Sequence, residues 1–176
     1  PCNREGAGYL MSAENGVAGG AVEHVTRLVY GGPAFAALDA DAAAAPPGAG
    51  GVMFLPWLRG SLAPTADGTM RGGFLNLGLE HARPHLARAV LEGVALNVAR
   101  LRPAAERFAG RRFDEFSVYG GGGQSDVWCQ IVADVLGTPV RQLAEAGHAN
   151  CIGAGLYAFA RLGECDPAEI GSRVPV

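Results

Sequence analysis

The sequence predicts an α/β fold, and the observations that predict it lie in the second half of the chain. Two short segments that are predicted as strands, residues 116–119 and 140–143, alternate there with two segments of helical periodicity. A run of four glycines joins the first predicted strand to the first helical segment. The order strand, glycine turn, helix, strand, helix is typical of α/β architecture.

The N-terminal part is predicted to contain a short strand over residues 9–12 and a helix over residues 13–29. Four apolar residues share one face of this helix: Val17, Ala21, Val25 and Leu28. The Gly-Gly-Pro sequence at residues 31–33 ends the helix.

The next part of the chain is predicted to be mostly irregular. Residues 40–51 are rich in Ala, Pro and Gly, a composition that favours a loop. Residues 52–55 follow as a short apolar strand. Residues 56–73 read as a long irregular stretch with glycine turns at residues 67–68 and 72–73.

A long helix is predicted to begin at Pro84, because proline is tolerated in the first turn of a helix. Its apolar face comprises Leu86, Val90, Val94, Val98 and Leu101. Glu92 lies four residues after Arg88, a spacing that predicts an ion pair. His81 and His85 are also four residues apart, but the helix start separates them, so the pair does not predict a metal site.

The helix after the glycine run has clear signals at both ends. Ser125 is predicted to cap its N-terminus, Gly137 ends it, and Pro139 cannot continue it. Its predicted apolar face comprises Trp128, Ile131, Val132, Val135 and Leu136. A last helix is predicted over residues 150–162, with Gly163 as its end.

The glycine run, Gly120 to Gly123, carries the strongest chemical signal. The turn has no Cβ atoms, and the unpaired N–H groups of a helix N-terminus follow it, so phosphates or a purine face can approach the backbone. Four consecutive glycines also lower backbone stability, which favours a functional role. Asp126, in the first helical turn, would repel a phosphate and favours the adenosine part of a nucleotide.

The kind of nucleotide stays open at this level. Gly120, Gly122 and Ser125 nearly fit the GxGxxG pattern of dinucleotide-binding folds, and Glu145 follows the next strand as a ribose-binding acid does. The third glycine of the GxGxxG pattern is missing, and Glu145 lies further along the chain than the ribose-binding acid of such folds. A P-loop is excluded because the chain contains no lysine, and all 14 of its basic residues are arginine.

Composition narrows the class of protein. The 176 residues fit one domain, predicted to span residues 1–176, and 49% apolar residues suffice for a core. A net charge of −3 indicates neither nucleic acid nor an anionic membrane as partner, and no apolar run reaches membrane-spanning length. We expect a cytoplasmic protein.

The four cysteines lack zinc-site or disulfide spacing, and Cys129 and Cys151 are predicted to be buried thiols.

From residue 52 onward the chain resembles the C-terminal domain of FGGY-family carbohydrate kinases, particularly xylulokinase-like members. The segments that carry the resemblance are residues 54–60 (FLPWLRG), 71–77 (RGGFLNL), 85–95 (HLARAVLEGVA) and 120–140 (GGGGQSDVWCQIVADVLGTPV). Their order and spacing match the family over more than half of the chain. The last segment is the most specific, because it joins glycines, Trp, Gln, Ala-Asp and LGxPV in one run.

The resemblance implies an actin-like, ribonuclease-H-like ATPase domain that holds ATP, with Mg²⁺, and closes against an N-terminal half that holds the sugar. It implies that Gly120, Gly121 and Gly122 line the nucleotide. Gln124 and Ser125 would lie beside it, and Asn150 near the adenine. The implied activity is transfer of the γ-phosphate to a hydroxyl of a xylulose-like ketose or polyol.

Two departures from the family pattern affect this expectation. The catalytic aspartate that serves as base belongs to the N-terminal half, and the Gly-Thr/Ser phosphate motif is not found, so this chain alone is expected to be inactive. Two alternatives stay open: a non-catalytic nucleotide-binding module, actin-like or Rossmann-like, and a truncated product without function. The sequence also leaves open whether the chain forms homo-oligomers.

Overall fold

The computed structural model of the protein describes residues 11–12, 14–166 and 169. The chain divides between Phe113 and Asp114 into two units, each with its own helices and strands. The prediction of one domain over residues 1–176 stays a prediction. Residues 9 and 10 of the predicted first strand lie outside the described residues, and residues 11 and 12 are not in a strand.

In its described residues, the first unit has three α-helices and one antiparallel strand pair. Its elements are α1 (Ala18–Tyr30), α2 (Phe35–Ala44), a 3-10 turn (Ala49–Gly51), β1 (Met53–Leu55), β2 (Gly73–Leu75) and α3 (Arg83–Ala109). Phe54 of β1 pairs with Phe74 of β2, and their ring centroids are 4.9 Å apart. The strand pair therefore carries an aromatic contact across its two strands.

Helix α3 is the central element of this unit, since α1, α2 and β1 all pack against it. The largest fully buried side chains are Leu38, Leu91, Val90, Val94 and Thr26. Gly93 allows the closest approach: a Cβ there would stand only 2.2 Å from the Phe54 carbonyl oxygen. A glycine in the middle of this helix thus lets strand β1 reach the helix surface.

Two predictions for this unit are wrong. Residues 40–44 belong to α2 and not to a loop, because a run of alanines favours helix until Pro46 follows. Strand β2 begins at Gly73, the last residue of the predicted irregular stretch, and no element was predicted for residues 74–75; pairing with β1 forms this strand. Leu28 is 71% exposed, whereas Val22 and Thr26 are buried, so the buried face of α1 is rotated from the predicted one.

A polar cluster joins the three helices of the first unit. The Tyr30 hydroxyl donates to Oδ2 of Asp41 at 2.6 Å, and Nε of Arg83 donates to the same oxygen at 2.7 Å. The Arg83 guanidinium also lies 4.9 Å from the centre of the Tyr30 ring. The Tyr30 and Arg83 hydrogen bonds hold the pKa of Asp41 below its ordinary value, and burial raises the pKa of Tyr30.

The predicted pair of Arg88 and Glu92 is confirmed. Nε of Arg88 donates to Oε1 of Glu92 at 2.7 Å, and both side chains are largely buried. The same carboxylate oxygen accepts the Gly48 N–H at 3.0 Å. The pair therefore fixes the segment before β1 to the surface of α3.

The second unit is built on two parallel strands. Its elements are β3 (Phe116–Val118), a 3-10 turn (Gly121–Gln124), α4 (Asp126–Leu136), β4 (Val140–Gln142), a 3-10 turn (Ala146–His148) and α5 (Ala149–Leu162). Helix α4 connects β3 to β4, as a parallel pair requires. The predicted α/β order is confirmed here, and Gly137 and Gly163 end their helices in left-handed conformation as predicted.

Replacing Gly93 by alanine tests the contact between α3 and β1. We expect Gly93→Ala to lower the free energy of unfolding by about 1–3 kcal/mol, because the new Cβ would overlap the Phe54 carbonyl. The matched control is Gly20→Ala in α1, where a Cβ meets only Val17 at 3.9 Å. Helix propensity should stabilise that variant by up to about 1 kcal/mol. Urea denaturation measures the free energy of unfolding of both variants. Equal changes in Gly93→Ala and Gly20→Ala would contradict the close packing of β1 on α3.

The Asp41 cluster predicts an acid-sensitive contribution to stability. Because the folded-state pKa of Asp41 lies below its ordinary value of 3.8, the contribution is complete above that value and is lost as pH falls through the lowered pKa. We expect Asp41→Asn to flatten the fall of unfolding free energy below about pH 4. The exposed Glu14 supplies the control Glu14→Gln, which should keep the slope. An unchanged slope in Asp41→Asn would contradict this assignment.

Candidate nucleotide site

The glycine run forms the connection between β3 and α4. Gly120 has φ +79°, and its N–H donates to the carbonyl of Ala146 at 2.7 Å, which ties the end of β3 to the segment after β4. The chain then makes a 3-10 turn, and Oγ of Ser125 accepts the N–H of Trp128 at 3.0 Å. The predicted N-cap is therefore confirmed.

Three of the four glycines are required by the fold itself. Gly120 has a positive φ that side chains rarely adopt. A Cβ on Gly122 would lie 2.6 Å from the Trp128 ring, and one on Gly123 would lie 2.8 Å from Cβ of Ala146. These residues are glycine because the backbone conformation or the packing leaves no alternative.

At Gly121, neither the backbone conformation nor the packing requires a glycine. It is exposed, its φ lies outside the left-handed region, and a Cβ placed on it meets nothing within 4 Å. The backbone at this position is thus open to approach from solvent at the start of the turn that leads into α4. This is the geometry that lets a ligand contact the main chain directly.

A pocket of about 460 Å³ lies beside the turn, where β3 and β4 end. Its lining residues are Gly123, Gln124, Asp126, Gln142, Leu143, Ala144 and Ala146. The carboxyl ends of parallel strands are the usual place for ligands in α/β folds, because the chain there leaves the sheet and exposes its backbone. The pocket is large enough for a small organic ligand.

Gln142 holds the wall of this pocket together. Its side-chain Nε2 donates to the Gly123 carbonyl at 2.8 Å and to Oδ1 of Asp126 at 2.9 Å. One amide therefore connects the end of β4, the glycine turn and the first residue of α4. Sequence reasoning missed Gln142, although a polar residue at the end of a strand beside the glycine turn was the available signal.

The structure brings most of the predicted site residues together. Gly120, Gly121, Gly122, Gln124 and Ser125 form the continuous turn, and Gln124 also lines the pocket. Asn150 is the second residue of α5 and is exposed, and it is not among the pocket-lining residues. Its place near an adenine stays a prediction. Missed residues that close the pocket are Leu143, Ala144 and Ala146.

The two cysteine predictions have different outcomes. Cys129 is buried in α4, as predicted, and its Sγ lies 3.8 Å from the carbonyl oxygen of Gly122. The prediction for Cys151 is wrong, because this thiol is exposed near the start of α5. Helix α5 buries none of its residues, so an apolar sequence there does not lead to burial.

The histidine pair in the first unit is fixed by backbone contacts. Nδ1 of His81 accepts the Gly78 N–H at 2.8 Å, and Nδ1 of His85 accepts the Ala82 N–H at 3.0 Å.

Within residues 11–12, 14–166 and 169, no group of three or more His, Cys, Asp or Glu side chains could hold a metal ion. In the same part of the chain, no helix combines the length and apolar character needed to cross a bilayer.

Comparison with known proteins shows which class of protein this fold belongs to. The fold matches a crystal structure of gluconate kinase from Lactobacillus acidophilus with a TM-score of 0.71 and 28% identity, over 89% of this chain and 32% of that one. The gluconokinase of Bacillus licheniformis is 34% identical over 123 residues, 68% of this chain and 24% of the relative. The xylulose kinase of Bacillus subtilis is 34% identical over 130 residues, 69% of this chain and 25% of the relative.

These relatives are carbohydrate kinases, and the predicted actin-like, ribonuclease-H-like fold is confirmed. Residues 3–162 match the C-terminal domain model of the FGGY family of carbohydrate kinases, so the chain belongs to that family. It spans about a quarter of the length of the gluconokinase and xylulose kinase that it matches.

Two alanine substitutions test whether Gly121 differs from its neighbours. We expect Gly121→Ala to leave the free energy of unfolding unchanged within about 1 kcal/mol, since the new Cβ has open space. Gly123→Ala should lower it by about 1–3 kcal/mol, because its Cβ would crowd Ala146 and the Val118 carbonyl. Urea denaturation followed by tryptophan fluorescence compares them. Similar destabilisation of both variants would contradict the assignment of an open position.

Proposed function

We propose that this chain is the ATP-binding half of a carbohydrate kinase. The complete enzyme transfers the γ-phosphate of ATP to a hydroxyl of a sugar, a xylulose-like ketose or a polyol. Membership of the FGGY family supports this proposal, and so do relatives whose names are xylulose kinase and gluconokinase.

The observation that carries the proposal is the open backbone at Gly121. Nothing in the described fold requires a glycine there, whereas its three glycine neighbours are each required by conformation or packing. A residue without a side chain, at the start of an exposed turn that leads into a helix, is what close contact with a nucleotide needs.

Each predicted site residue has a place in this proposal. The backbone of Gly120, Gly121 and Gly122 lines the nucleotide, and Gln124 and Ser125 lie beside it. The carboxylate of Asp126, which Gln142 holds at the pocket wall, repels phosphate oxygens. The adenosine part of ATP therefore lies at this turn, with Asn150 near the adenine, and the phosphates extend away from the pocket.

Phosphoryl transfer requires more than this chain contributes. Mg-ATP supplies the phosphoryl group, and the metal ion neutralises charge on the phosphates during transfer. The magnesium ion enters the enzyme bound to the phosphates of ATP. The catalytic base and the sugar site belong to the N-terminal half of the enzyme, so this chain alone binds ATP without phosphorylating a sugar. Closure of the two halves then excludes water from the reaction.

Calorimetric titration with Mg-ATP tests the site. We expect saturable binding by the wild-type chain and at least about tenfold weaker binding by Gly121→Val, because the branched side chain fills the approach to the backbone. Gly19→Val is the matched control, since Gly19 is also exposed with open space around its Cβ position, yet lies in the first unit.

The other outcomes are equally informative. Equal ATP affinity of Gly121→Val and wild type would show that the glycine turn is not the site. Saturable binding of NAD in place of ATP would favour the dinucleotide-binding alternative and refute the kinase assignment. Circular dichroism of each variant establishes that lost binding does not reflect lost folding.

A further inference from the structure

An amide and a carboxylate of the second unit form a fixed pair in the wall of the pocket beside the glycine turn. Nε2 of Gln142 donates to the Gly123 carbonyl at 2.8 Å and to Oδ1 of Asp126 at 2.9 Å, and all three residues line the pocket. Both partners are acceptors, so the amide atom between them is the nitrogen, and both of its hydrogens are used. The Gln142 side chain therefore has only an acceptor, its Oε1, left for a ligand.

Asp126 adds further acceptors at the same place. It is the first residue of α4 and is exposed, and a carboxylate has no hydrogen-bond donor. Throughout the part of the chain that the structure describes, Oδ2 of Asp126 and Oε1 of Gln142 have no hydrogen-bond partner. The pair thus offers a ligand acceptors and no side-chain donor.

An acceptor-only pair selects a ligand group that brings donors. Adenine places its acceptor N7 beside the N6 amino group, so one of its two atoms would face the pair without a donor. Phosphate oxygens carry negative charge, and the carboxylate repels them. The ribose of a nucleotide has neighbouring 2′- and 3′-hydroxyls, and both can donate. A carboxylate that accepts from a ribose hydroxyl is a recurrent contact in α/β nucleotide sites.

A second acidic residue near the turn is Glu145, which the sequence pattern of dinucleotide-binding folds singles out. Glu145 is exposed and is not among the residues that line the pocket. Its Oε2 lies 3.2 Å from Nδ1 of His148. Of these two carboxylates, that of Asp126 is the one placed for a ligand in the pocket.

We propose that Asp126 recognises the ribose of the nucleotide, and that Gln142 positions the Asp126 carboxylate for this contact. The ribose hydroxyls donate to Oδ2 of Asp126 and to Oε1 of Gln142. The site therefore prefers nucleotides with an intact ribose diol over their deoxy forms. The inference rests on the proposed ATP site at the glycine turn, and it specifies which part of the nucleotide this pocket holds.

Calorimetric titration with the magnesium complexes of ATP and of 2′,3′-dideoxy-ATP tests the inference. We expect the 176-residue chain to bind ATP at least about tenfold more tightly, because the dideoxy ligand cannot donate to the carboxylate. In Asp126→Asn the ratio of the two affinities should fall to within about threefold, because an amide nitrogen replaces one acceptor oxygen. The ratio isolates the ribose contact, since both ligands carry the same base and triphosphate.

The matched control lies in the same helix. Asp134 of α4 accepts from Nε2 of Gln130 at 2.8 Å, so these residues form the same kind of pair, but neither of them lines the pocket. Asp134→Asn removes the same charge from the same helix, and its affinity ratio should stay within about twofold of wild type. Glu145→Gln is a second control, and we expect the same result for it.

Gln142→Leu tests the positioning role. We expect the affinity ratio to fall at least about threefold, because the Asp126 carboxylate loses the hydrogen bond that orients it. A residue that only stabilised the fold would lower the melting temperature and weaken both ligands equally, so the ratio would not change. Circular dichroism during heating measures the melting temperature of each variant.

Equal affinity of the wild-type chain for ATP and dideoxy-ATP would overturn the ribose assignment and leave the nucleotide site standing. An unchanged ratio in Asp126→Asn would overturn it as well, and an unchanged ratio in Gln142→Leu would refute the positioning role. Absence of saturable ATP binding would instead refute the proposed nucleotide site, and this inference with it.

Discussion

The hydrogen bond from the Gly120 N–H to the Ala146 carbonyl, 2.7 Å long, is the contact on which the candidate site depends. It closes the carboxyl ends of β3 and β4 onto each other, and it requires the positive φ of Gly120. Gly123 then packs against the Cβ of Ala146, which fixes the path of the turn. Gly121 is left at the surface with its backbone free to meet a ligand.

The first unit obeys a similar constraint at a different place. Gly93 in the middle of α3 allows the Phe54 carbonyl to reach the helix surface, where any side chain would block β1. Polar contacts then fix the flanking segments, since Glu92 accepts from both Arg88 and the Gly48 N–H. In both units the absence of a Cβ sets the distance between two backbone segments.

Local signals predicted the helices that have clear ends. Ser125 and Gly137 bracket α4, and Gly163 ends α5, because caps act within one turn of the chain. Predictions that needed tertiary information were less accurate. Strand β2 forms because β1 pairs with it, and Cys151 is exposed because no described element covers α5. Neither pairing nor coverage can be read from a local pattern.

The sequence by itself determined the family and the α/β order of the second half, and it predicted the continuous part of the candidate site, Gly120 to Ser125. These follow from neighbouring residues, whose spacing is set by covalent geometry. Only the tertiary structure decided which glycine is open and which residues complete the pocket, namely Gln142 and Ala146. The physical reason is that steric clashes and hydrogen bonds between segments many residues apart exist only after the chain has folded.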